Sequence, residues 1–380
     1  MLISYGKQHI DNNDIRNVNK VLKSNFLTQG PLVKKFEDSL KKKLKSRYCS
    51  VVNNGSSALL TIGKILKWKK GDLIAVPPIT FLSSVNTIEH CGAKPIFIDI
   101  SLNDYCMDPD LLESELKKDK KKKIKAAIIV DYGGQPAQWK KFLKLKKKYK
   151  IQLVNDNCHA LGSSYFKDTG YAVKYADLVS LSFHPVKVIT TGEGGAILTN
   201  NKTYDKKAKL IRSHGMSRKK KRHWEYKMDL LGYNFRLPDI NCAIGLSQIE
   251  KLNRFLKKRD QISKIYDRFF SDKSKFIIPP RFFSSKNSYH LYPLRINMKK
   301  IKKSKVQIIK DFLKNKIKVQ VHYIPVNTQP FYKKKYGFKN KDFPNTMKFF
   351  ENTLSFPIYY NLNFKEINYI KKVCKKIFKI

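Results

Sequence analysis

The sequence predicts an α/β fold in which a mixed, largely parallel sheet is covered by helices on both faces. Three observations predict it. Short apolar runs recur at residues 73–76, 95–100, 126–130, 151–155, 177–183 and 196–199. Amphipathic helical patterns lie between some of them, over 111–116 and 139–149. Polar or small residues close each run, and alternation of this kind favours strands joined by crossover helices. In such sheets ligands bind beyond the carboxyl ends of the strands, so the residues that follow each run are the candidates for a site.

Beyond about Asn241 the rhythm changes. Ile244, Leu246, Ile249 and Leu252 set a helical period that runs on towards Tyr266. A strand-like run over 290–296, a basic helix, a strand-like run over 318–323 and a terminal helix from Phe364 follow. A domain boundary is placed near residue 250, giving a large domain over 1–250 with an N-terminal arm and a smaller C-terminal α+β domain over 251–380. No internal repeat and no extended Pro/Gly/Ser linker separates them, so they are expected to pack closely.

A chain of 380 residues with 42% hydrophobic content can bury substantial cores. The opening Met-Leu-Ile-Ser-Tyr-Gly-Lys lacks the basic and apolar stretches of a secretory signal, and no run reaches the roughly 18 apolar residues of a membrane span. Six scattered cysteines without a CxxC pair fit neither a disulfide framework nor a metal site, and free thiols in the cytoplasm are expected. The formal charge of +48 is spread through every segment and accompanied by Ile, Asn, Phe and Tyr. Those types share A/T-rich codons with lysine, so the charge reads as compositional drift rather than specific nucleic-acid binding. The lysine run 120–123 reads as a solvated loop.

Four segments carry candidate chemistry. Asn53-Asn54-Gly55-Ser56-Ser57 runs into a helix and offers N–H groups and hydroxyls to an anion, although a serine there also serves as an ordinary cap. Asn155-Asp156-Asn157-Cys158-His159 puts a carboxylate at a strand end, where it can keep a pyridine nitrogen protonated or simply cap a helix. Ser182-Phe183-His184-Pro185-Val186-Lys187 sets one lysine in an apolar and hydroxylic stretch before Gly192-Glu193-Gly194-Gly195. A desolvated amine of lowered pKa is what Schiff-base formation needs. Leu231-Gly232-Tyr233-Asn234-Phe235-Arg236 precedes the long helical stretch.

In this order the segments resemble the DegT/DnrJ/EryC1/StrS family of sugar aminotransferases, and Gln320-Val321-His322-Tyr323-Ile324-Pro325 and Leu354-Ser355-Phe356-Pro357 match it too. The resemblance spans essentially the whole chain. It implies a fold-type-I, aspartate-aminotransferase-like large domain that binds pyridoxal 5′-phosphate, which becomes pyridoxamine 5′-phosphate in the half-reaction. Within the family, Leu27-Thr28-Gln29-Gly30, Arg212-Ser213-His214-Gly215 and His290-Leu291-Tyr292-Pro293 resemble the pseudaminic-acid branch.

The resemblance implies roles by position. Lys187 is similar to the Schiff-base lysine that also moves the substrate proton, and Asp156 to the partner of the ring nitrogen. His159 stands where the family contacts the phenolic oxygen of the cofactor, and Phe81 where an aromatic stacks on its ring. Gly55, Ser56 and Ser182 match phosphate ligands, and Asn234 matches a ligand supplied by the other subunit of a homodimer. Tyr5, Asn25, Phe26, Leu27, Thr28, Gln320, Val321, His322 and Tyr323 match positions lining a nucleotide-sugar pocket. The implied reaction carries an amino group from glutamate to C4 of a UDP-linked 4-keto-6-deoxy-N-acetylhexosamine; another nucleotide 3- or 4-keto sugar is one alternative, and a basic nucleic-acid-binding protein is the alternative from a different class. No metal is expected. The chain departs from the family pattern at Asn155 and Asn157, which make the aspartate segment more polar, and at Gly192. Dehydratase members carry a histidine where Lys187 stands, which argues against that chemistry.

Overall fold

The structure, a computed structural model, describes residues 2–218, 222, 224–271 and 274–380. Its first eight strands are β1 (Tyr48–Val52), β2 (Leu73–Val76), β3 (Lys94–Phe97), β4 (Ile124–Val130), β5 (Gln152–Asp156), β6 (Ser164–Tyr165), β7 (Leu178–Ser182) and β8 (Gly195–Thr199). Seven of them form one sheet in the order β1-β8-β7-β5-β4-β2-β3, while β6 pairs elsewhere. From β7 through β5, β4 and β2 to β3 all neighbours are parallel, and β8 runs antiparallel to both β7 and β1. Two reversals bring β1 back into the direction of β7. Its carboxyl end therefore lies on the same sheet edge as those of β2, β4, β5 and β7.

Period-two alternation explains how the sheet is held. Ala127 and Ile129 of β4 join one apolar cluster with Ala75, Leu153, Leu181 and Leu198, while Ala126 and Ile128 join the opposite one with Ile74, Val76, Val154 and Ile197. Both faces are buried, which is why these strands read as near-continuous apolar runs. The helix over 139–149 is Trp139–Tyr149, buried through Trp139, Phe142 and Leu145. The 111–116 pattern lies within Pro109–Lys118, started by Asp108, whose side chain accepts from the N–H groups of Asp110 and Leu111.

The remaining strands are β9 (Met216–Arg218) paired with β10 (Tyr226–Met228), and β11 (Phe276–Ile277), β12 (Ser285–Lys286), β13 (Tyr292–Ile296) and β14 (Thr353–Phe356). The strands β11, β13 and β14 make a small sheet, and β12 pairs with β6. A third apolar cluster joins Ile3 to residues between Ile262 and Phe378, among them Tyr266, Leu294, Phe312, Phe356 and Ile370.

Two expectations fail. The single helix expected from Asn241 towards Tyr266 is two, Asp239–Glu250 and Leu252–Phe270. The ladder tightens at Lys251, whose N–H turns to Gln248 and Ile249 and whose ammonium is held by Asp11 and Asp14 at 2.6 and 2.8 Å. Residues 318–323 form no strand. Their backbone bonds are divided between partners, Lys318 donating to Ile3 and Gln320 pairing both ways with Ser355, so no continuous ladder develops.

Candidate active site

The carboxyl edge of the large sheet opens onto a cavity of about 480 Å³. β1 ends in Asn53-Asn54, and Asn54 caps the helix Gly55–Ile65 by accepting the N–H of Ser57 at 2.8 Å. Asparagine thus takes the capping role, and Ser56 is left to meet Ser83 across the cavity wall, Oγ to Oγ at 2.5 Å. A side chain at Gly55 would put its Cβ 2.9 Å from Cβ of Ser182, so only glycine lets the helix start approach the end of β7 this closely.

Asp156 ends β5 and is buried. Its Oδ2 accepts from Ser84 Oγ at 2.6 Å and its Oδ1 from the Cys158 N–H at 3.2 Å. Thr80 Oγ1 lies 2.9 Å from Ser84 Oγ; with the Ser84 proton on the carboxylate, Thr80 is the donor. The carboxylate is therefore oriented by a buried hydroxyl chain as well as by the backbone.

Lys187 follows β7 in a loop that closes on itself. Phe183 donates to Gly194 O, and Thr190 Oγ1 and the Thr191 N–H both donate to Phe183 O. The hydroxylic residues noted in the sequence are thus internal fasteners of this loop. Burial lowers the Lys187 pKa, and Cys158 and Asp156 act in the opposite sense. Among the described residues no carboxylate forms an ion pair with it.

Three imidazoles face the same cavity. Burial and the neighbouring Lys187 push His159 well below its ordinary value and His322 down to about 3, and His290 is lowered by burial, His159 and Lys187. All three are neutral at pH 7. The Gly133 N–H donates to Nδ1 of His159 at 3.2 Å, which leaves Nε2–H to donate to the Tyr323 hydroxyl at 2.9 Å. His322 stands with Tyr5, ring centroids 5.1 Å apart, and the Phe81 and Tyr323 rings are 5.9 Å apart.

Of the residues singled out from the sequence, Lys187, Asp156, Gly55, Ser56, Phe81, His159, Ser182, Tyr5, His322 and Tyr323 line this one cavity. Gln320 and Val321 precede it on the chain without lining it. Asn25, Phe26, Leu27 and Thr28 are exposed, in a loop tied down where Asp239 accepts from the N–H groups of Gly30 and Leu32 and donates to Leu27 O. Asn234 is exposed on a stretch bridged to Ser213. Neither group reaches the cavity of its own chain. Ser83 and Ser84 line it and are not singled out by sequence, while Glu193 and His290, which also line it, stand in quoted motifs without an assigned role. The signal for the two serines is present, since they follow the β2 turn beside Phe81.

A model of the DegT/DnrJ/EryC1/StrS aminotransferase family matches residues 8–377. The chain is 38% identical over 371 residues to the UDP-4-amino-4,6-dideoxy-N-acetyl-β-L-altrosamine transaminase of Campylobacter jejuni, covering 97% of this chain and 96% of that one. The protein of that name from Helicobacter pylori is 34% identical over 379 residues, 99% and 97% covered. Among solved structures, Helicobacter pylori PseC, an aminotransferase involved in the biosynthesis of pseudoaminic acid, superposes with TM-score 0.92 at 32% identity over the whole of both chains. The sugar aminotransferase Spr1654 of Streptococcus pneumoniae in its PLP-form gives 0.90 at 28% identity, with 100% of this chain and 99% of that one covered. With this cavity at its sheet edge, the chain belongs to the DegT/DnrJ/EryC1/StrS aminotransferase family and is a pyridoxal-phosphate-dependent enzyme.

Proposed function

We propose that the protein transfers an amino group from glutamate to C4 of a UDP-linked 4-keto-6-deoxy-N-acetylhexosamine, with Lys187 and Asp156 as its catalytic residues. The carrying observation is that ten of the residues read from the sequence converge on one cavity, with a desolvated lysine facing a buried, oriented carboxylate. The likeness to the Campylobacter jejuni enzyme supports the sugar class.

The residues fit the cofactor. Gly55, Ser56 and Ser182 would hold its phosphate at the start of the helix Gly55–Ile65, where Asn54 takes the N–H groups of Ser57 and Ala58 and the positive end of the helix faces the anion. Phe81 would cover the ring, Asp156 would face its nitrogen, and His159 with Tyr323 would lie on the side of its phenolic oxygen. When bound, pyridoxal phosphate supplies the carbonyl that takes up the amine and the ring that holds the electron pair freed at the substrate carbon. Asp156, held by Ser84 and Cys158, keeps a proton at the ring nitrogen. Lys187 reaches its neutral form more readily because it is desolvated, and as a neutral amine it takes and returns the substrate proton. The neutral histidines add hydrogen bonds to the pocket without adding charge. Tyr5, His322 and Tyr323 bound the space left for the sugar.

Asn25–Thr28 and Asn234 belong to the same reading as groups that a second subunit brings to the site, in a homodimer working in the cytoplasm. The division into a part carrying the cofactor, 1–250, and a smaller part, 251–380, completes it. Among the described residues no helix is long and apolar enough to cross a membrane.

The test is incubation of the purified protein with glutamate and UDP-2-acetamido-2,6-dideoxy-β-L-arabino-4-hexulose or its D-xylo epimer, followed by identification of the product. A 4-amino sugar formed preferentially from the L-arabino substrate is expected. A 3-amino product, or equal rates on the two epimers, would overturn the sugar assignment.

A further inference from the structure

Asp131 opens the turn after β4, Asp131-Tyr132-Gly133-Gly134, of which only the Gly133 N–H has a role so far. Asp131 is fully buried and its carboxylate meets five donors. Oδ1 accepts from the Ala137 N–H at 2.8 Å and Trp139 Nε1 at 3.0 Å. Oδ2 accepts from Asn155 Nδ2 and Asn157 Nδ2, both at 3.0 Å, and from the Tyr171 hydroxyl at 2.7 Å. The Asp131 N–H also donates to Asp156 O at 3.3 Å. Three consecutive residues, 155, 156 and 157, are thus tied to one side chain and its backbone.

The same turn reaches further. Gly133 fixes the His159 tautomer through its N–H, and the Tyr132 hydroxyl donates to His322 O. Gly134 has φ 101°, and a Cβ there would run into Ser288 and Asn287. The turn is therefore compact because the chain needs it to be.

We infer that Asp131 is a positioning residue, which sets Asp156 and, through its turn, His159 against the ring of the cofactor. Asn155 and Asn157 are the grips by which it does so. Burial pushes the Asp131 carboxyl up to about 6, still ionised at neutral pH. All five groups donate to it, and four of them, two backbone or indole N–H groups and two amide NH2 groups, have only donor character, so the arrangement favours the carboxylate over the acid. A carboxylate whose pairing is complete in this way gives a network with a single arrangement. Asp131 touches neither cofactor nor substrate in this account.

The inference rests on the proposed role of Asp156, and its test separates the two. The dissociation constant for pyridoxal phosphate, read from the visible absorption of the bound form, is measured for Asp131→Asn in the native background and in an Asp156→Asn background. The turnover number and KM for glutamate are measured alongside. If Asp131 acts through Asp156, its replacement weakens cofactor binding about tenfold in the native background, as loss of a buried partner does, and less than about twofold where Asp156 is already changed. A merely structural Asp131 would give the same fold-loss in both backgrounds, and that result overturns the inference. An Asp156→Asn protein that binds cofactor and turns over like the native one would overturn the reading of Asp156 and this inference together. Should Asp131→Asn fail to fold, Tyr171→Phe removes one donor only, and the same comparison is expected with about a fourfold loss against less than about twofold.

Discussion

Two groups of residues drawn from the same sequence motifs meet different fates in the fold. Those at the carboxyl ends of β1, β2, β5 and β7 come together in one cavity, because parallel strands deliver their ends to a common edge. Asn25–Thr28 and Asn234 stay on the surface of the chain, in loops that are hydrogen-bonded into place. The first group needs nothing but this chain to be assembled. The second makes sense as part of a site only if another copy brings a cavity to it. Phe26, Leu27 and Leu231 are exposed near these loops, and apolar side chains in that setting suit a covered surface. The difference separates residues that the single chain gathers from residues that the proposed second subunit would bring.

The largest expected effect breaks the first half of this comparison. Asp156→Asn keeps the size and removes the charge, and turnover should fall by about 10²-fold or more, while the bound cofactor remains visible by absorption. Near-native turnover would mean that another acid serves the ring nitrogen. The next tests the second half. Lys187→Ala and Asn234→Ala should each be inactive, and mixing them should restore up to about a quarter of native activity, because about half of exchanged dimers carry one intact site of two. Absence of recovery after demonstrated subunit exchange would place Asn234 outside any site.

A smaller effect follows from the histidines. His322 has its pKa lowered from 6.5 to about 3, so the unfolded chain binds a proton that the folded chain refuses. The stability from a neutral His322 is complete above about pH 6.5 and is lost as pH falls from there towards about 3. His159 and His290 act with the same sign. His322→Gln should therefore flatten the fall in melting temperature between pH 6.5 and 4, and an unchanged slope would show that His322 does not remain neutral in the fold.

How much of this was legible in the sequence depends on which signal each residue carries. The sheet strands were legible because both faces are buried, which makes each one an apolar run. β1 is the exception: Tyr48 and Ser50 interrupt its five residues, and its order at the sheet edge comes from pairing with the distant β8. Lys187 stood out among many lysines because its neighbours are apolar or hydroxylic, and the fold turns those hydroxyls into loop fasteners. Asp131 and Ser84 carried no such frame. Their importance lies in distant partners, Asn155 and Asn157 lying 24 and 26 residues from Asp131 and Asp156 72 residues from Ser84, and contacts of that range are not written in local spacing. The strand expected over 318–323 failed for a similar reason, since its hydrogen bonds go to Ile3 and Ser355 at opposite ends of the chain.

The central claim is that Lys187 is the residue that carries the cofactor. Reduction of the cofactor-loaded protein with borohydride, followed by peptide mapping, tests it without reference to any sugar. The covalent label is expected on the peptide containing Lys187 and is expected to be absent from the Lys187→Ala protein. A label on any other lysine, in a chain whose 78 Lys and Arg residues offer many, would contradict it.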